Sequence, residues 1–389
     1  MTFKAIARAS RWMMAAALAA QAQAAPVQDF GEPNLARLAA RFSLQGDAQP
    51  PVRVIQFGDS HTAADYFSGE LRARLQARYG DAGIGWLPPV NVPGQRNALA
   101  YMRSEGWALR NSRRDTDPDF PLGGFVGVAQ RPGASVSVRP RAEDKGLWRV
   151  RIWLRQSAEG QGLIVDDGSG PRRAQASAGA GWQRVEMKLK LPFTLRADSL
   201  PAPEVGGYEL EKLAPGVVLD TVGSNGAELA LWRGWGGAWG RQLAAREADL
   251  VILAYGTNEA FDPKLDLDEY RATLQGAVSL VRSQLPQAAI LLLGAPDSAR
   301  SKGGAVSREC AAGPQRPLML SAVQQIQRQL ARDNHLLYWD WQQAMGGPCS
   351  MRAWRQQQLG RPDMVHFTGP GYVRLGDDLY EGLSQRLAR

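Results

Sequence analysis

Only three histidines stand in this chain of 389 residues, so a general base has few places to be. His366 lies in "RPDMVHFTGPGY", three residues after Asp363. On one tight loop that spacing lets the carboxylate hold one ring nitrogen while the other nitrogen faces outward. This is the orienter and base of a serine triad. The nucleophile it calls for is Ser60, in "QFGDSHTAADY". A serine hydroxyl attacks an acyl carbonyl only when a base takes its proton. His61 is adjacent to Ser60, and neighbours at a helix start point in different directions, so it does not fit the base. His335 opens a strand and reads as structural.

Acyl transfer also needs donors for the developing oxyanion. The backbone N–H of Ser60 is one. Gly226, in "DTVGSNGAEL", offers an N–H with no side chain in the way, and Asn258, in "AYGTNEAF", carries an amide that can be aimed at the same point. Gly223 and Gly226 would serve equally well in an ordinary turn, and Asn258 as a cap. The weight comes from all four elements falling at strand ends, where open parallel sheets bind ligands.

The elements that must position these residues follow from hydrophobic patterning. Val52 to Phe57 reads as a buried strand, and Thr62 to Tyr79 as an amphipathic helix with Ala64, Phe67, Leu71 and Leu75 on one face. Strand and helix alternate again from Ala248 to Leu387. Strands are expected over Ala248–Gly256, Ala288–Pro296 and His335–Trp341, and helices over Asp268–Leu285, Arg316–Asn334 and Gly371–Leu387. Strands apolar on both faces between helices predict a parallel sheet covered on both sides. From about Arg103 to Ala214 the period changes to two. "GLWRVRIWLRQ" sets Trp148, Val150, Ile152 and Leu154 against Arg149, Arg151, Trp153 and Arg155, and "RVEMKLKLPF" repeats the pattern. This predicts an all-β sandwich (103–214) inserted between two parts of an α/β domain (26–102 and 215–389).

The first 25 residues read as a signal peptide: Lys4, Arg8 and Arg11, then the short apolar run Trp12 to Ala20, then "AQA" at Ala22 to Ala24. The expected location is the periplasm or cell envelope. The formal charge of +8 falls to +5 once those three basic residues are removed. The rest are scattered, which with export argues against nucleic acid as a partner. No later segment is apolar enough to span a membrane. Cys310 and Cys349 form an even pair in an oxidising compartment, which allows one disulfide. Neither their spacing nor the few histidines make a metal site.

Together, "FGDSH", "VGSNGAEL", "YGTNEAF" and "PDMVHFT" resemble the four blocks of the SGNH (GDSL-type) hydrolase family. The resemblance implies a three-layer α/β/α domain, a Ser60–His366–Asp363 triad, an oxyanion hole of Ser60, Gly226 and Asn258, and no cofactor. The wider family carries leucine where His61 stands. "GDSHTAADYFSGELR", "GDAGIGWLPP" and "DTVGSNGA", with the β insert and export signal, look like bacterial peptidoglycan O-acetylesterases of the Ape1 type. Those proteins carry an inserted domain resembling carbohydrate-binding modules. The implied activity is removal of O-acetyl groups from peptidoglycan. Acyl transfer to a sugar or general carbohydrate deacetylation would use the same triad, and wall binding with a degenerate site is the non-catalytic alternative.

Two aromatic groups bear on glycan binding. Trp232, Trp235 and Trp239 are expected to pack in the core, with a sugar-stacking platform as the alternative. Trp153, on the arginine-bearing face of its strand, would stack on a saccharide or pair with an arginine on an open face.

Overall fold

A computed structural model describes residues 25–388 except 44–48, 118, 158–161 and 301–302. The expected signal peptide lies outside the described residues apart from Ala25. That residue is buried, and its carbonyl accepts a bond from Trp339 Nε1 at 3.0 Å, so the folded chain includes it.

The α/β domain is built on five parallel strands, Leu337–Trp339, Ala289–Leu293, Leu250–Ala254, Val52–Gly58 and Val217–Gly223 in that spatial order, with Gln28–Asp29 added antiparallel at one edge. Counted along the chain the parallel order is 2-1-3-4-5. Val52–Gly58 lies between the second and third strands, and order reverses there, which opens a crevice beyond the strand ends. Strand Val52–Gly58 is buried along its whole length. Val52 and Val54 join a core with the helices Phe67–Tyr79 and Gly369–Leu387, while Ile55 and Phe57 join the opposite core with Ala238–Ala245 and Leu267–Gln284. Two covered faces explain the apolar run without alternation.

The inserted domain is all antiparallel. One sheet runs Arg172–Ala174, Leu163–Asp166, Phe193–Ala197, Ser135–Pro140, Ala100–Glu105. The other runs Trp182–Leu189, Trp148–Arg155, Glu204–Lys212, Phe125–Ala129, Trp107–Asn111. Val136, Val138, Val150, Ile152, Leu195 and Leu210 fill the space between them. Gly83–Leu87 also pairs with Glu204–Lys212. The insert therefore starts near residue 82 rather than 103, a position that falls inside the strand Ala100–Glu105. The sequence around Gly83 hides this because a short, glycine-rich, fully buried strand shows no period-two pattern.

The arginine-bearing face of Trp148–Arg155 does not face solvent. Arg151 and Trp153 are buried, and Trp153 belongs to the core that runs into the α/β domain. Its indole donates to Glu209 at 2.7 Å. The expected open face is an interdomain seam, and Trp153 stacks on no sugar there. Arg53, Arg151 and Arg246 meet Glu209, Glu211 and Asp220 at it, with Arg53–Glu211, Arg246–Glu209 and Arg246–Glu211 crossing from one domain to the other. Burial would raise the Glu211 pKa, but Arg246, Arg53 and Arg151 outweigh it and hold the carboxyl well below its usual range.

Cys310 and Cys349 form a disulfide. His335 bonds the Phe30 carbonyl through Nδ1 at 3.1 Å, a structural place far along the chain from Ser60.

Candidate active site

The site begins where the central strand ends. A Cβ on Gly58 would stand 2.2 Å from Thr62 Oγ1 and 2.7 Å from the Ala254 carbonyl, so only glycine lets the chain turn there. Asp59 caps the single turn Ser60–Ala63 by accepting from His61 N at 2.9 Å. The expected continuous helix from Thr62 breaks after this turn and restarts as Phe67–Tyr79. At the break Asp65 has φ +45° and its buried carboxylate accepts from Ser68 and Arg72. That local bonding competes with the helix where periodicity alone continues it.

Ser60 Oγ lies 2.9 Å from His366 Nε2, and His366 Nδ1 lies 2.9 Å from Asp363 Oδ2. The other Asp363 oxygen accepts the backbone N–H of Val365 and of His366, each at 2.9 Å. With Nδ1–H donated to Asp363, Nε2 is free to take the serine proton. Burial works to raise the Asp363 pKa, but the Val365 and His366 N–H groups and the imidazole overcome it and keep the carboxyl below its usual range. The loop is braced from behind. Met364 takes a positive φ of 57°, its carbonyl accepts from Ala299 N, and the His366 carbonyl accepts from Arg361 N.

Gly223 and Gly226 separate cleanly. A Cβ on Gly223 would come 2.3 Å from Ala63 N, so this residue lets the strand end press against the serine turn. Gly226 has φ +67°, and its N–H meets no acceptor among the described residues. Asn258 follows the adjacent strand and spends one amide hydrogen on the Ala227 carbonyl at 2.8 Å, leaving the other to donate. Ser60, Gly226 and Asn258 thus leave the carboxyl ends of three adjacent strands.

Four residues escaped the sequence reading. Glu259 ties the segments that carry Gly226 and Asn258 together. One oxygen accepts Leu229 N at 2.9 Å and the other Gly256 N at 3.0 Å. Burial pushes its pKa up to about 7 despite those bonds. Its place directly after Asn258 was the available signal. Asp59 is pushed up to about 6 by burial, opposed by the His61 N–H and Thr257. Tyr372 holds His61 Nδ1 at 2.8 Å. Arg113, from the insert, donates to the Asn225 carbonyl beside Gly226, a contact between domains that no sequence pattern announces.

His61 is buried, and its ring packs among Trp341, His366, Phe367 and Tyr372. Burial, then the neighbouring His366, lower its pKa to about 3. Trp232, Trp235 and Trp239 are buried and packed edge to face, as a core cluster and not a platform. No group of three or more metal-ligating side chains occurs among the described residues.

Comparison with known proteins gives two family matches. Residues 82–194 match the model "Peptidoglycan O-acetylesterase, N-terminal", and residues 202–374 match "GDSL-like Lipase/Acylhydrolase family". A solved peptidoglycan O-acetylesterase is 35% identical, covering 93% of this chain and 99% of its own, with a TM-score of 0.82. A family two carbohydrate esterase from Cellvibrio japonicus is 15% identical over 74% of this chain and 98% of its own, with a TM-score of 0.30. No curated protein matches.

Proposed function

The chain belongs to the GDSL-like lipase and acylhydrolase family, with a peptidoglycan O-acetylesterase N-terminal module, and we propose that it is an exported serine esterase that removes O-acetyl groups from peptidoglycan. The observation that carries the proposal is the relay Asp363–His366–Ser60, closed at 2.9 Å on each side of the imidazole. The substrate comes from the likeness to the solved peptidoglycan O-acetylesterase over nearly all of both chains. The disulfide supports export, since such bonds persist in oxidising compartments.

In this reading His366 Nε2 takes the Ser60 proton as Oγ attacks the acetyl carbonyl. Asp363 keeps the imidazole in its tautomer and stabilises the imidazolium. Negative charge on the former carbonyl oxygen is met by the N–H groups of Ser60 and Gly226 and by the free Asn258 amide hydrogen. The intermediate collapses, the sugar oxygen leaves with the proton from His366, and Ser60 carries the acetyl group. Water, deprotonated by His366, then attacks the ester, and acetate leaves as Ser60 regains its proton.

The test is acetate release from O-acetylated peptidoglycan, with chemically de-acetylated material and the Ser60→Ala protein as controls. Release only from the acetylated wall and only by the unmodified protein is expected. Wild-type release by Ser60→Ala would sink the mechanism. Equal release from O-acetylated xylan would widen the substrate to carbohydrate acetates in general.

A further inference from the structure

A cavity of about 200 Å³ opens where the insert meets the α/β domain, beside the serine turn. Its walls include Ala63, three residues after Ser60, and Gly223, three before Gly226. The segment between the domains is pinned to the same place. Gln95 Nε2 donates to the Gly223 carbonyl at 2.9 Å, and Asn225 Nδ2 donates to the Gly94 carbonyl at 3.1 Å. A substrate with its ester at Ser60 therefore has this cavity as a neighbour.

The lining holds two arginines, Arg96 and Arg141, and no aspartate or glutamate. Neither guanidinium forms an ion pair among the described residues; Arg96 is half-buried, where most arginines of this protein are paired, and Arg141 is exposed. Both are nevertheless held in place. Arg96 lies 4.2 Å over the Tyr66 ring and donates Nη1 to the Asp65 carbonyl. Arg141 lies 3.8 Å over the Tyr101 ring and donates Nε to the Asn97 carbonyl at 3.0 Å. A guanidinium has five N–H donors, so most of each fork stays open. Fixed, stacked and unpaired, two such forks suit the bidentate geometry of a carboxylate.

We propose that this cavity binds a carboxylate carried by the substrate glycan, held between Arg96 and Arg141. The identity of the glycan rests on the peptidoglycan reading above. In peptidoglycan that carboxylate has two sources: the ether-linked acid of a muramic sugar that carries no peptide, since an attached peptide takes it up as an amide, and the free carboxylates of an attached peptide. The cavity then selects which acetylated sugar reaches Ser60, and a neutral acetylated glycan lacks the contact.

The test begins with direct binding by calorimetry to the Ser60→Ala protein, which does not turn substrate over. The probes are N-acetylmuramic acid, N-acetylglucosamine, and a free stem tripeptide. At least tenfold tighter binding of the muramic acid than of N-acetylglucosamine is expected, and this preference should vanish when Arg141→Gln is added. Binding of the tripeptide alone, again lost with Arg141→Gln, supports the cavity and assigns the peptide carboxylate as its ligand. Binding of neither acid, or a preference that survives Arg141→Gln, overturns the proposal. In turnover, the ratio of kcat/KM on O-acetylated peptidoglycan to that on acetylated xylo-oligosaccharide should fall about tenfold in Arg141→Gln and recover partly in Arg141→Lys. An unchanged ratio in a protein of unaltered unfolding temperature counts against it. An unmodified protein that cleaves a small acetyl ester but releases nothing from the wall refutes the peptidoglycan reading instead, and the calorimetry still decides the cavity.

Discussion

The imidazoles of His61 and His366 lie 5.4 Å apart, centroid to centroid, yet only His366 reaches Ser60. The two rings are chemically different because their surroundings are. His366 stands half-exposed with a carboxylate on one nitrogen and the serine on the other. His61 is sealed in an aromatic cage with Tyr372 on Nδ1 and no partner on Nε2 among the described residues. Burial keeps it neutral. A neutral ring packs behind the base without adding a second positive charge when His366 becomes an imidazolium.

The relay makes Ser60 and His366 a unit. Replacing either by alanine should lower kcat on the order of 10⁶-fold, and Asp363→Asn on the order of 10⁴-fold, as in other serine triads. The double variant Ser60→Ala/His366→Ala should be no worse than either single one. Burst and steady-state kinetics with a chromogenic acetyl ester measure this. Losses that multiply in the double variant would mean that the two residues act separately.

In the proposed mechanism Asn258 offers its free hydrogen to charge that exists only in the transition state. Asn258→Ala should therefore cost on the order of 10²–10³ in kcat with little change in KM. Glu259→Gln should behave differently. Its two backbone bonds need an acceptor on both sides, and an amide keeps only one. We expect a smaller loss in kcat and a lower unfolding temperature. A large KM effect at Asn258 would place it in ground-state binding instead.

His61 gives a pH dependence with a definite sign. Its folded pKa, about 3, lies below the ordinary 6.5 of the unfolded chain. The unfolded state therefore binds more protons between these values, and stability falls as pH falls. The contribution is fully present above pH 6.5. By pH 4.5 it has lost about 3 kcal/mol. His61→Leu removes the titrating group, so its unfolding temperature should fall less between pH 7 and pH 4.5 than that of the unmodified protein. At pH 7 the variant should still be the less stable, because Tyr372 loses its partner. Parallel curves of unfolding temperature against pH would remove His61 from the acid response.

Much of this was legible in the sequence because the site lies at strand ends. Ser60, Gly226 and Asn258 each follow an apolar segment whose end marks a place in the sheet, so local pattern carries three-dimensional meaning, while His366, on a loop between two helices, was legible through its spacing from Asp363. The residues that escaped reading act at a distance. Arg113 meets Asn225, and Arg53 meets Glu211, only because two domains pack, and period-two patterning had left the arginine face of Trp148–Arg155 to solvent. A strand between two packed layers can carry ion pairs on its outer face and still be buried. The pattern of charged and apolar residues is then the same as for an exposed face.

The tryptophan cluster separates packing from sugar binding. Trp235 is 1% exposed, stands 5.0 Å from Trp239, and bonds Ser112 through its indole N–H at 3.0 Å. Trp235→Ala should destabilise the protein by about 3–5 kcal/mol. Denaturant unfolding measures the loss. Weakened glycan binding by a variant of undiminished stability would restore the platform reading.

Arg246 tests the interdomain seam. Its guanidinium is fully buried and meets Asp220 at 2.7 Å, Glu211 at 3.3 Å, and Glu209. Counting Arg53 and Arg151 with it, three guanidiniums face the three carboxylates, so the cluster is neutral. Removing Arg246 alone leaves excess negative charge where water cannot screen it, and Arg246→Leu should cost about 3–5 kcal/mol. The carboxylates, and not lost packing, carry that cost if the prediction is right. Adding Asp220→Asn to Arg246→Leu should then recover most of the stability, since Arg53 and Arg151 then face Glu209 and Glu211, two charges against two. Denaturant midpoints of the single and double variants decide the matter. A double variant less stable than Arg246→Leu would show that each charge holds the seam through its hydrogen bonds, and that neutrality is incidental.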